Sequence, residues 1–121
     1  MIRNNREVGY IFEERTIEFL KKNNYEILEQ NLYSPYGEID IIVKKGEQII
    51  AIEVKYRNNP MISIFETIPY DKIERIRKSL LWYMQKKNYL NKFILTIDAF
   101  LIEEKNGKIT TFLVENIQLN Y

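Results

Sequence analysis

Two acids interrupt otherwise apolar stretches of this chain: Asp40 in Glu38-Ile39-Asp40-Ile41-Ile42-Val43-Lys44, and Glu53 in Gln48-Ile49-Ile50-Ala51-Ile52-Glu53-Val54-Lys55. Burying an unpaired carboxylate is costly, so each acid needs a cation, a metal or hydrogen bonds beside it. If both stretches are strands paired through the turn Lys45-Gly46-Glu47, Asp40 lies near the start of one and Glu53 near the end of the other, and their side chains meet at one end of the sheet. Period-2 alternation then sets Lys55 on the Glu53 face, roughly 6.5 to 7 Å further along. Two carboxylates beside an ammonium suit phosphodiester hydrolysis. The acids hold Mg²⁺ or Mn²⁺, the metal acidifies bound water, and the lysine steadies the nucleophile or the charge growing on phosphorus. The plainer alternative is a strand-end salt bridge, with Lys55 neutralising Glu53 and Asp40 capping the turn at Gly37.

Composition narrows the chemistry further. The chain has no cysteine and no histidine, which excludes disulfides, thiolate or imidazole metal sites, and the Ser-His-Asp and Cys-His triads. Oxygen ligands remain, and these favour Mg²⁺ or Mn²⁺ over zinc or copper. The net charge of +1, from 18 basic and 17 acidic residues, makes no global case for nucleic acid. Its distribution is more informative: from Lys72 to Lys92 seven basic residues face one acid, a local net of +6. Arg57, Lys72, Arg75, Arg77, Lys78, Lys86 and Lys87 are therefore the candidates for contact with DNA phosphates, the alternative being a solvated helix face. Trp82, Tyr83 and Tyr89 could stack on bases, but helical spacing makes Tyr83 core and Trp82 either core or a subunit contact. Glu38, two residues before Asp40, reads as an exposed turn end.

The elements that must position these groups follow from periodicity. At 121 residues and 14.7 kDa, with 45% hydrophobic residues, the chain is one domain, 1–121. An amphipathic helix over Glu7 to Lys22 turns Val8, Ile11, Phe12, Thr16, Phe19 and Leu20 inward and stops at Asn23-Asn24. Glu13 flanks that stripe, so it either reaches the strand-end cluster or is an exposed surface glutamate. Tyr25 to Tyr33 is an irregular strand, and Ser34-Pro35-Tyr36-Gly37 is a turn. In the next strand Ile39, Ile41 and Val43 share one face, while Glu38, Asp40 and Ile42 share the other. After a break at Asn58-Asn59-Pro60, Thr67-Ile68-Pro69 leads into a helix from Tyr70 to Lys87 with Ile73, Ile76, Leu80, Tyr83 and Met84 inward. Strands from Phe93 to Glu104 and Lys108 to Ile117 join at Asn106-Gly107, the favoured type I′ dipeptide. No apolar run approaches the roughly 18 to 20 residues of a membrane span, and the polar start is unlike a secretory signal. The expectation is a soluble, cytoplasmic protein with no membrane partner.

Gly37-Glu38-Ile39-Asp40, followed by Ile52-Glu53-Val54-Lys55-Tyr56-Arg57, resembles the YraN family of predicted bacterial endonucleases. These are distantly similar to archaeal Holliday-junction resolvases of the PD-(D/E)xK, restriction-endonuclease-like superfamily. Gly9-x-x-x-Glu13 resembles the family's opening G-x-x-G-E, Tyr25 to Asn31 its G-Y-x-I-L-x-x-N, and Phe65-Glu66 through Lys72 its entry to the basic helix. Phe12 and Asn24 stand where the family has glycine, and no arginine follows Asn31. The resemblance implies an α/β fold with an α-β-β-β-α-β core, a mixed central sheet flanked by helices and a C-terminal hairpin strand. It implies that Asp40 and Glu53 bind the metal, that Glu13 joins them, and that Lys55 is the catalytic lysine. A Mg²⁺- or Mn²⁺-dependent endonuclease on DNA follows as the expectation. The preference for branched or junction DNA and the homodimer rest on the resemblance alone. The rival is a non-catalytic nucleic-acid-binding or adaptor domain that keeps the nuclease fold.

Overall fold

The computed structural model describes the backbone of residues 5–57 and 68–120. The Val8 side chain, the break at Asn58-Asn59-Pro60, the Phe65-Glu66 stretch and Thr67 lie outside the described residues.

Helix α1 (Asn5–Lys22) begins slightly before the expected start and buries Phe12, Thr16, Ile17 and Leu20. Thr16 can be buried because its hydroxyl donates to the Phe12 carbonyl at 2.7 Å, which satisfies the one polar group that burial would strand. Asn24 adopts φ 66°, and the Tyr25 N–H bonds the Leu20 carbonyl at 3.0 Å, a left-handed termination of the expected kind. Strands β1 (Glu26–Ser34), β2 (Gly37–Lys45) and β3 (Gln48–Arg57) follow as two antiparallel pairs. Helix α2 (Tyr70–Lys86) crosses to β4 (Ile94–Lys105), which lies parallel to β3 and pairs antiparallel with β5 (Lys108–Val114). The sheet runs β1-β2-β3-β4-β5, and the element order is the expected α-β-β-β-α-β core with a C-terminal hairpin strand.

Alternation along β3 and β4 splits the core into two layers. Ile50, Ile52, Phe100 and Ile102 pack with Phe12, Ile17 and Leu20 of α1. Ile49, Ala51, Ile97, Ala99 and Leu101 pack with Ile73, Ile76, Leu80, Tyr83 and Met84 of α2, which are the five residues expected to face inward. Each helix thus covers one face of a mixed sheet.

Two expectations are corrected. Ile39 does not share a face with Ile41 and Val43: it joins the α2-side core, and they join the α1-side core. The cause lies in β1, where Asn31 adopts φ 52° between the Gln30–Ile41 and Leu32–Ile39 pairs and breaks the pleat opposite Asp40. The last strand ends at Val114 instead of Ile117. There Asn116 turns the chain with φ 57°, its N–H bonds Asp98 Oδ1 at 3.0 Å, and Ile117 drops into the α2-side core within a short 3₁₀ turn. The hairpin between β4 and β5 is as expected, with Asn106 at φ 53° and Gly107 at φ 79°.

Candidate active site

The Lys45-Gly46-Glu47 connection fixes the β2–β3 register, from Lys45 opposite Gln48 to Ile41 opposite Ile52. Beyond that pair the backbone ladder stops. In place of the next rung, the Val54 N–H donates to Asp40 Oδ2 at 2.9 Å, so a side chain takes over the work of a strand neighbour where the strands part. Glu53 stands at the same end, buried to 5% exposure, and Lys55 Nζ lies 3.9 Å from Glu53 Oε1. The convergence of Asp40, Glu53 and Lys55 expected from hairpin register and alternation is therefore present.

Glu13 reaches this group from α1. Burial and the neighbouring charge of Asp40 raise its carboxyl above the ordinary range, a hydrogen bond from the Asn31 side chain opposes that shift, and Glu53 adds a smaller upward push. One oxygen, Glu13 Oε1, is buried with no hydrogen-bond partner. Glu13 is thus a member of the strand-end cluster and not a solvated helix-surface residue.

The electrostatics are those of crowded acids. Burial raises the Asp40 carboxyl, against the Val54 N–H and the charges of Lys72 and Lys55, which pull it down. Burial and then Asp40 raise Glu53. Burial lowers the Lys55 ammonium, the nearby Lys72 charge lowers it further, and Glu53 opposes both.

Lys72 is the residue whose place in this cluster the sequence did not show. Expected among the phosphate contacts, it also sets Nζ 3.0 Å from Glu53 Oε1, closer than Lys55. Burial alone would lower the Lys72 ammonium, but Glu53 outweighs this and holds it above the usual lysine range. The signal for this placement was faint: Ile73 and Ile76 face the core, so Lys72, one residue before Ile73, sits at the edge of the buried stripe in the first turn. Asn31 was noted only as part of a motif, and its left-handed backbone and its bond to Glu13 are what it contributes here.

A cleft of about 240 Å³ opens over Asp40 and Glu53, lined by Gly37, Glu38, Asp40, Glu53, Lys72, Arg75 and Ile76, with Glu13 and Lys55 outside its lining. Glu38 lines it from an exposed position, as a turn-end residue would. Of the other basic candidates, Arg57 pairs with Glu103 and Arg77 with Glu74, the second at 3.2 Å. Lys86 lies over the Trp82 ring at 4.6 Å and Lys87 over Tyr83 at 5.9 Å. Trp82 itself is half-buried against the α2-side core. Arg75 and Lys78 are exposed, and only Arg75 of these two lines the cleft.

The donor set fits a hard divalent cation. Asp40 and Glu53 offer carboxylate oxygens, and Glu13 Oε1 is a buried acceptor with no hydrogen-bond partner among the described residues. Among the described residues no group of three acidic side chains stands at coordination spacing, and Asp40 and Glu53 are the two carboxylates that line the cleft.

A mixed α/β domain of this core order, with acids gathered where two antiparallel strands part, is the class of protein the fold defines. The model of uncharacterised protein family UPF0102 matches residues 12–102, and the chain belongs to that family, which is the YraN family. A UPF0102 protein of Fusobacterium nucleatum is 42% identical over 87 residues, 71% of this chain and 73% of the relative. One of Dictyoglomus thermophilum is 41% identical over 107 residues, covering 88% and 91% of the two chains. One of Campylobacter jejuni is 39% identical over 85 residues, covering 70% and 75%. The family is described as uncharacterised, so membership brings no activity with it.

Proposed function

We propose that this protein is a Mg²⁺- or Mn²⁺-dependent endonuclease that hydrolyses phosphodiester bonds of DNA, with branched or junction DNA as the preferred form. The observation that carries the reading is the convergence of Glu13, Asp40 and Glu53, from three different elements, on one strand end beside Lys55, with a buried Glu13 oxygen left unpaired.

Asp40 and Glu53 would hold the metal, Asp40 being oriented by the Val54 N–H. When bound, the metal supplies Lewis acidity that makes water a better nucleophile and offsets charge on the phosphoryl oxygens. Lys55, whose ammonium burial makes more acidic than a free lysine, suits a group that exchanges a proton with the attacking water. Arg75 at the cleft and Lys78 one turn further along α2 would contact phosphates flanking the scissile one. The work belongs to the cytoplasm, where DNA is. Cutting both strands in one encounter is served by two clefts, so we expect a homodimer. Sedimentation as a monomer at micromolar concentration would remove that part of the reading.

One observation favours the adaptor alternative: Lys72 and Lys55 already compensate Glu53 without a metal. Mn²⁺ titration by calorimetry separates the two. The nuclease reading predicts saturable binding that Asp40→Asn and Glu53→Gln each abolish while the fold is retained. An adaptor would take up no Mn²⁺ and would bind DNA equally with or without these substitutions.

A further inference from the structure

Glu53 Oε1 is an unusual oxygen, because two ammonium groups from different elements share it. Lys55 at 3.9 Å is carried by the same strand as Glu53, whereas Lys72 at 3.0 Å comes from the first turn of α2. The Glu53 side chain is 6% exposed and that of Lys72 is 32% exposed, so the carboxylate is fixed within the protein while the lysine head borders the cleft. Lys72 also lies within the electrostatic reach of Asp40, and each of these two groups stabilises the charged form of the other. Its ammonium therefore stands against a Glu53 carboxylate oxygen at the edge of the cleft.

We propose that Lys72 is the protein's internal counter-ion for the metal site: it holds the Glu53 carboxylate in the metal-free protein and competes with the metal for it. The inference rests on the metal-site reading above. A divalent ion and an ammonium cannot hold the same carboxylate oxygen without repelling each other at short range, where screening by solvent is weakest. The long, partly exposed lysine is the group able to yield, because its stem can swing about the helix while Glu53 and Asp40 are held by the sheet. Displaced into the cleft, its ammonium comes to lie beside Arg75, where a substrate phosphate would meet both. Lys72 is thus a positioning residue that holds the buried Glu53 carboxylate beside Asp40 until metal arrives.

The test is Mn²⁺ binding, followed by calorimetry and by thermal unfolding at pH 7.5, for the full chain, Lys72→Met, Lys72→Gln and Lys72→Arg. Glutamine covers the case in which methionine fails to fold. Without Mn²⁺ the two neutral variants melt below wild type. With it they regain stability more steeply, and their half-saturating concentration falls about five- to tenfold, as expected when one repelling charge leaves a partly screened site. Lys72→Arg, which keeps the charge, stays near wild type. If wild type binds Mn²⁺ and the neutral variants bind it equally or more weakly, Lys72 is not a competitor and the proposal falls while the metal site stands. If neither wild type nor the neutral variants bind Mn²⁺, the metal site falls and the competition with it.

Discussion

At the scale of single residues, the cluster assigns different work to groups that look alike. Lys55→Met should change Mn²⁺ binding less than the neutral Lys72 substitutions do, because its ammonium stands 3.9 Å from Glu53 Oε1 against 3.0 Å for Lys72, yet lower any cleavage rate by about 100-fold or more, because proton exchange is lost and the ligands stay. Parallel calorimetry and single-turnover cleavage would check both halves. Asp98, on β4 opposite Ile52 of β3, is a separate titration case. Burial pushes its carboxyl up to about 6 from 3.8, although the Asn116 N–H opposes the shift. A raised folded-state value means the native protein binds this proton more tightly than the unfolded chain, so stability is lost as pH rises through the window from about 4 to about 6. Asp98→Asn keeps an acceptor for Asn116 and removes the charge. It should stabilise the protein by about 1 to 3 kcal/mol at pH 7.5 and by nearly nothing at pH 4, as urea unfolding at the two values would report. Asp40, Glu53 and Lys55 were legible in the sequence because hairpin register and period-2 alternation are local rules. Glu13 was half legible, since helical spacing puts it beside the buried stripe without saying how far it reaches. Lys72 was legible as a cation and not as a site residue, because its contact with Glu53 depends on how α2 is laid over the sheet.

At the scale of elements, that laying-down is controlled by packing. Leu80 is fully buried in the α2-side core, and Ser79 of the preceding position bonds the Ser34 hydroxyl at 2.7 Å, tying α2 to the β1–β2 turn. Leu80→Ala should destabilise the fold by about 2 to 5 kcal/mol in chemical denaturation. The β4–β5 hairpin lies at the opposite edge of the sheet from β1, and Asn106→Ala there replaces a residue suited to positive φ. A loss of about 1 kcal/mol with unchanged Mn²⁺ affinity is expected, which denaturation and calorimetry on the same preparation would check. The helices, the three leading strands and this turn followed from amphipathic periodicity and turn chemistry. The face switch at Ile39 did not, because the run Ile41-Ile42-Val43 marks both faces as apolar without saying which of them Ile39 joins, and the left-handed Asn31 lies in the neighbouring strand. The early end of β5 was hidden for a similar reason, since it depends on the distant carboxylate of Asp98 accepting from Asn116.

At the scale of the whole molecule, charge is arranged more finely than the run along α2 suggested. Several of its cations are engaged within the fold: Lys72 with Glu53, Arg77 with Glu74, and Lys86 over Trp82. Arg75 and Lys78 remain as exposed candidates on the site's flank. Each Arg75→Ala or Lys78→Ala substitution should therefore weaken DNA binding similarly across sequences and reduce the slope of log K against log salt by about one. Among the described residues no helix is long and apolar enough to cross a membrane. The central claim, that the acids at the β2–β3 strand end form a metal-dependent nuclease site, is tested most directly by cleavage. A labelled panel of single-stranded, duplex, flap and four-way-junction DNA would be incubated in Mg²⁺ or Mn²⁺ with wild type, Glu53→Ala and Lys55→Ala purified side by side. The account predicts metal-dependent cutting by wild type, strongest on branched substrates, that both substitutions abolish. Cutting that persists in both variants, or DNA binding without cutting in all three proteins, would contradict it.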